Sequence, residues 1–166
     1  MTDVRVGIGF DAHALAVGVP LVLGGVEIDH PRGLAGHSDG DVVAHALIDA
    51  LLGAAGLGDI GSLFPSGDPA WEGASSIDLL RRAYGEVLAA GYELANADCV
   101  LVGESPRIAP FRGEMRARLA AALAVEPERI AVRATTTDGL GFTGRGEGLA
   151  AHAVALVRRA RSAEPR

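Results

Sequence analysis

The chain is constrained most by an alternation near its start. Val4, Val6, Ile8 and Phe10 alternate with Arg5, Gly7 and Gly9. A period of two marks a strand, here with one apolar face. The glycines on its other face carry no side chains to hold a neighbour off, so something can approach that backbone closely. Asp11 and His13 continue the segment. Residues two apart in extended backbone point the same way, so this pair forms a two-ligand claw.

A second dense stretch runs from Gly36 to His45 and leads straight into an apolar helical pattern. Ser38 or Asp39 is placed to N-cap a helix over 41–55, with Val43, Leu47, Ala50, Leu51 and Ala54 as its core stripe. Asp41 and Asp49 stand four residues either side of His45 and read as partners that orient it. For Asp41, a favourable charge in the first helical turn is the simpler role. Asp11, His13 and His45 together offer the carboxylate and imidazole set that a catalytic zinc uses, and manganese or cobalt would also fit. The same three residues could equally satisfy loop hydrogen bonds at a strand end and a polar surface. His37 and Ser38 precede a helix N-terminus, where free N–H groups favour an anion. A helix cap accounts for Ser38 but not for His37.

The remaining segments read as follows. Leu21-Val22-Leu23 and Val26-Glu27-Ile28 form a hairpin about Gly24-Gly25, and Pro31-Arg32-Gly33 is a loop. The stretch from Gly56 to Trp71 is rich in Gly, Pro and Asp, yet carries Leu63, Phe64 and Trp71, which suits an ordered loop lying over a site. Ser75 and Asp78 suggest a capping box for a helix over 77–90. A strand over 92–102, irregular near Asn96, precedes a loop at Gly103 and a helix from Pro110 to about Ala124. A strand over 130–136 leads into a glycine-rich turn holding Arg145 and Glu147. Three threonines and a glycine-spaced arginine suit phosphate oxygens, and the same residues suit a flexible turn with an Arg145–Glu147 surface pair. A final helix is expected over 149–161. Mixed strands and helices without βαβ repetition give an α+β class. His30 and His152 are assigned no function.

Composition narrows the chemistry. The chain has 166 residues with a formal charge of -6, against a general nucleic-acid or membrane-surface binder. All 15 basic residues are arginine, so no lysine Schiff base or P-loop lysine is available. Cys99 is the only cysteine, which excludes an intrachain disulfide, and it reads as a small core residue. No signal-peptide pattern and no apolar run of spanning length is present, so a cytoplasmic location in a bacterium is expected.

Taken in order, several motifs resemble the 2-C-methyl-D-erythritol 2,4-cyclodiphosphate synthases of the non-mevalonate isoprenoid pathway. They are Arg5 to His13, Leu23-Gly24-Gly25-Val26, His37 to Asp41 with His45, Leu52 to Ala55, Gly58-Asp59-Ile60-Gly61, Ala134 to Thr137, and Leu140 to Gly148. The resemblance implies a homotrimer of single domains, each spanning 1–161, with active sites at subunit interfaces and a disordered tail over 162–166. It implies a zinc-type divalent ion on Asp11, His13 and His45, and a second ion, magnesium or manganese, on the substrate's diphosphate. The substrate implied is 4-diphosphocytidyl-2-C-methyl-D-erythritol 2-phosphate, cyclised by a phosphorus-oxygen lyase that releases CMP.

Residue roles follow from the same resemblance. His37 and Thr136 would stabilise the transition state, with Ser38 gripping phosphate and Asp11, Ala12 and His13 touching substrate. Asp59, Ile60 and Gly61, with Phe64, Pro65, Ser66, Gly67 and Asp68, would line the methylerythritol side. Gly103, Glu104, Ser105, Pro106, Arg107, Ile108 and Ala109 would hold the cytidine diphosphate part with Thr135, Thr137 and Asp138. Phe142 and Arg145 would complete the pocket, and Phe10 and Arg145 would border an axial cavity able to take an isoprenoid diphosphate. Asp138 stands where the family usually carries Glu, which shortens its reach to the second metal. Gly139 replaces a commonly charged residue, and Arg107 and Arg133 stand where Lys is common. A rival from another class is a non-catalytic trimer that senses isoprenoid diphosphates.

Overall fold

The computed structural model describes residues 3–160, so the expected tail over 162–166 lies outside the described residues. Strand β1 covers Val4–Val17, β2 Leu21–Leu23, β3 Val26–Ile28 and β4 Arg32–Leu34. Helices α1 (Val42–Ala55), α2 (Ile60–Leu63) and α3 (Ser76–Ala89) come next, followed by β5 (Tyr92–Val102) and α4 (Arg112–Ala122). The chain ends with β6 (Ile130–Thr135), α5 (Gly141–Gly144) and β7 (Gly148–Arg159). A mixed sheet runs β4-β1-β7-β5-β6, with β5 and β6 parallel and the other neighbours antiparallel, and β2 and β3 form a separate hairpin. The α+β class holds.

The glycine face of β1 takes helix α1. A Cβ at Gly9 would lie 1.8 Å from Ala46 O, and one at Gly7 would lie 2.0 Å from Ala50 O. Ala151, Ala153 and Ala155 of β7 are fully buried on this sheet and keep its inner surface equally low. With the sheet on one side and α3 on the other, α1 is buried on nearly every side. The narrow core stripe expected from the sequence is therefore too small, since a helix covered all round is apolar all round.

The opposite face is apolar and open. Val6 and Ile8 are 66% and 72% exposed, with Phe10 and Val154 beside them. A contiguous exposed apolar face marks an interaction surface.

The largest departure from the sequence reading is the helix expected over 149–161; residues 149–159 belong instead to β7, the strand between β1 and β5. Ala151, Ala153, Ala155 and Val157 point inward, and Val154 and Leu156 point outward between His152 and Arg158, so apolar residues occupy both faces of β7. The period of two is then blurred in hydropathy, while the alanines raise helix propensity. Of the expected loop Pro31-Arg32-Gly33, Arg32 and Gly33 pair with β1 as part of β4. The cap of α1 is Asp41, whose carboxylate accepts from Val43 N and Ala44 N, not Ser38 or Asp39. The Ser75–Asp78 box does not form; Asp39 accepts from Ser76 N at the start of α3 instead. The hairpin stands where it was expected, as does the irregularity of β5 between Leu94 and Asn96.

Candidate active site

Strand geometry aims the claw. Asp11 and His13 continue the series of Gly7 and Gly9 along one face of β1, and that face meets α1. His45 lies in the first turn of α1, one residue before the Ala46 that Gly9 accommodates. The glycine contact thus brings the three side chains together. Asp11 Oδ2 is 2.9 Å from both His13 Nε2 and His45 Nδ1. Burial alone would raise the Asp11 carboxyl, but the hydrogen bonds and charges of both histidines hold it well below the usual carboxylate range. The Asp11 hydrogen bond raises His13 against its burial.

Each imidazole is anchored at its far nitrogen. His13 Nδ1 is 2.6 Å from Ala35 O, a contact in which the ring donates. His45 Nε2 is 2.8 Å from Ser76 Oγ. The nitrogens left over, His13 Nε2 and His45 Nδ1, face Asp11, and ligand atoms of the three residues lie within 4.8 Å of one another. One carboxylate and two imidazoles, each held from behind, suit a divalent ion.

A cleft of about 420 Å³ opens over this cluster. His37, Ser38, Ile60, Gly61, Phe64, Pro65, Ser66 and Gly67 line it, as do Trp71 and Leu79. The 56–71 loop is ordered by Phe64 against Trp71, with ring centroids 5.0 Å apart, and by Asp49 accepting from Ile60 N at 2.7 Å. Asp49 thus tethers this loop and has no hydrogen bond to His45. Asp41 likewise serves backbone, accepting from Gly24 N and Gly25 N as well as from its own helix. The orienting role expected of these two acids falls to Ser76. Ala12 points to the opposite face of β1, and Asp59 and Asp68 do not line the cleft. Asp59 caps α2, while Asp68 O meets His37 Nε2 at 3.2 Å.

The other expected contacts form a second cluster at the same end of the sheet. Gly103 N donates to Thr135 O at 3.0 Å, and Glu104 Oε1 accepts from Thr137 N at 3.2 Å. Thr136 Oγ1 donates to Asp138 Oδ1 at 3.0 Å, and Asp138 adopts a left-handed φ of 51°. Arg107 is exposed, Arg145 pairs with Glu147 at 2.7 Å, and Phe142 is 40% exposed. None of residues 103–109, 135–138, Phe142 or Arg145 lines the cleft. Three strand spacings, about 14 Å, separate β1 from β6.

The model of the YgbB family matches residues 4–158. The chain belongs to this family. It is 60% identical over 153 residues, 92% of this chain and 94% of the relative, to the 2-C-methyl-D-erythritol 2,4-cyclodiphosphate synthase of Moorella thermoacetica. A solved 2C-methyl-D-erythritol-2,4-cyclodiphosphate synthase in a CDP-bound form superposes with a TM-score of 0.84 at 42% identity, covering 92% of this chain and 99% of that one. The bifunctional IspDF of Campylobacter jejuni gives a TM-score of 0.92 at 44% identity, over 96% of this chain and 43% of that longer chain.

Ser76, Trp71 and Leu79 are site residues that spacing did not single out for this role. Ser76 was hidden inside an apparent helix cap, and no periodicity links it to His45. Trp71 carried a signal, as an aromatic residue in a Gly- and Pro-rich loop. Among the described residues no helix is long and apolar enough to cross a membrane.

Proposed function

We propose that this chain cyclises 4-diphosphocytidyl-2-C-methyl-D-erythritol 2-phosphate to 2-C-methyl-D-erythritol 2,4-cyclodiphosphate with release of CMP, as a phosphorus-oxygen lyase of the non-mevalonate pathway. The observation that carries the reading is the Asp11–His13–His45 cluster on the wall of an open cleft. An oxygen of the 2-phosphate attacks the β-phosphorus and forms a new phosphorus–oxygen bond. The bond from that phosphorus to the bridging oxygen breaks, and CMP leaves with the bridging oxygen. Both phosphates belong to one substrate, so holding it folded in line supplies most of the effect. No protein nucleophile is needed, which suits a chain without lysine whose single thiol is buried and pushed up to about 12.

Asp11, His13 and His45 would hold a zinc-type ion, and a magnesium or manganese ion would accompany the diphosphate. Such cations offset the charge of two approaching phosphates. His37 and Ser38 grip phosphate on the cleft side, and Ile60, Gly61 and residues 64–67 enclose the methylerythritol. Thr136 stabilises the transition state, and residues 103–109 with Thr135, Thr137 and Asp138 hold the cytidine diphosphate.

A homotrimer reconciles the two clusters. The open apolar face of Val4, Val6, Ile8 and Phe10 supports burial between subunits, and the cleft of one chain would then meet the threonine cluster of its neighbour. Phe10 and Arg145 would border an axial cavity able to take an isoprenoid diphosphate. We assign 1–161 to one domain and the protein to the cytoplasm. CMP release from the authentic substrate, dependent on divalent metal, tests the function. No CMP with zinc and magnesium present sinks it, and isoprenoid diphosphate binding without turnover favours the non-catalytic sensor.

A further inference from the structure

The geometry points to Ser76 and Asp39 as positioning residues that present the His45 imidazole to the metal, an assignment that rests on the metal site proposed above. Ser76 Oγ, 2.8 Å from His45 Nε2, also donates to Asp39 Oδ1 in a short contact. A hydroxyl has one proton. Ser76 gives its proton to Asp39, so toward His45 it only accepts. His45 therefore carries a proton on Nε2, which leaves Nδ1 as the nitrogen that turns a lone pair toward the metal beside Asp11 and His13.

Asp39 is itself held. Its Oδ2 accepts from Ser76 N at 3.0 Å, and its own N–H donates to Ala74 O at 3.1 Å. Gly73 N donates to His37 O at 2.8 Å, a second strap between the loop before α1 and the start of α3. The carboxylate that fixes the Ser76 proton is also fixed from its own loop, since Oδ1 accepts from Asp41 N at 3.2 Å. Ser76 is fully buried and His45 nearly so. In that setting an Nε2–H without an acceptor is costly, so the ring cannot turn freely.

Ser38 completes the division of labour. Its Oγ is 3.0 Å from the same His45 Nε2 and 3.4 Å from Ser76 Oγ. The shorter contact assigns the His45 N–H chiefly to Ser76. The Ser38 proton is not taken by Asp39 and stays available for a phosphate oxygen in the cleft. Two serines that meet one imidazole thus serve the metal ligand and the substrate separately.

Zinc affinity by chelator competition, read alongside the melting temperature of the metal-free protein, tests the assignment. Ser76→Ala keeps the backbone N–H that Asp39 accepts from but takes an acceptor from the buried His45 Nε2–H, so its metal-free melting temperature should fall modestly with the cooperative transition kept. Its zinc affinity should fall about 10- to 100-fold. Asp39→Asn removes the charge that fixes the Ser76 proton and should weaken zinc as well, while Ser76→Thr, which keeps the hydroxyl, should retain it. In zinc-loaded wild type the His45 Nε2–H should appear in nitrogen-15 NMR as a slowly exchanging proton, and Ser76→Ala should lose it. Zinc affinity within twofold of wild type in both Ser76→Ala and Asp39→Asn overturns the assignment. Should Ser76→Ala fail to fold, Asp39→Asn alone decides. Wild-type protein that takes up no zinc overturns the metal reading instead, a separate outcome.

Discussion

The two clusters at the end of the sheet differ in how complete they are. The Asp11–His13–His45 group has every far-side nitrogen anchored, sits against a buried helix and opens into a cleft that its own chain lines. The Thr135–Asp138 group is mostly exposed, and the Thr136 hydroxyl donates to the Asp138 carboxylate beside it. The first is preorganised for a ligand. The second is a surface waiting for one, with its arginine already paired to Glu147. A reaction that needs both must bring them together across about three strand spacings, which in the proposed homotrimer a neighbouring subunit would do more directly than any motion within one rigid sheet.

The sharpest attack on this comparison removes the complete half. His45→Ala should abolish stoichiometric zinc, read by metal analysis, and lower CMP release at least about 100-fold. One zinc retained per chain would refute the ligand set. The next asks where the halves meet. His45→Ala and Thr136→Ala, each inactive alone, should regain about a quarter of wild-type activity when unfolded and refolded together, because in the proposed trimer each site would draw one half from each neighbour. No recovery places both halves in one chain.

Ile8→Glu puts a charge in the open apolar face. It should dissociate the assembly in sedimentation and remove CMP release while zinc stays bound, which separates the clusters without touching either. Gly9→Ala tests what aims the claw. Its Cβ would meet Ala46 O at 1.8 Å, and the overpacking should cost about 1–3 kcal/mol in denaturant unfolding.

The smallest effect is in pH. His13 is raised in the folded state, so its contribution to metal-free stability is full below the ordinary 6.5 and is lost as pH rises through the folded value. Asp11 is lowered, so its contribution is present above the ordinary 3.8 and is lost only in acid. Chelated protein should therefore melt somewhat higher at about pH 5.5 than at about pH 8. His13→Gln should narrow that gap, and an unchanged gap would show that the pair does not set it.

The sequence alone carried the claw, because spacing of two in extended backbone is a local matter. It carried α1 with its histidine, the hairpin and β5 with its irregularity for the same reason: period and turn chemistry are written in neighbouring residues. It also carried the expectation that something lies close over Gly7 and Gly9. What it could not carry was which face of β1 is inside. The apolar residues Val4, Val6, Ile8 and Phe10 look like a core face, yet the glycines face the core because α1 must pass close, and the apolar face stays open. Strand β7 escaped detection because apolar residues such as Val154 and Leu156 also stand on its outward face, which blurs the period of two, and its alanines favour a helix. Ser76 escaped because its partners, Asp39 and His45, come from another segment, and only packing α3 against α1 brings them together. Local patterns thus determined the residues that can do chemistry. The tertiary structure decided which of them meet, because side-chain contacts between distant segments depend on how closely the backbones approach, and here that approach is set by glycine and alanine.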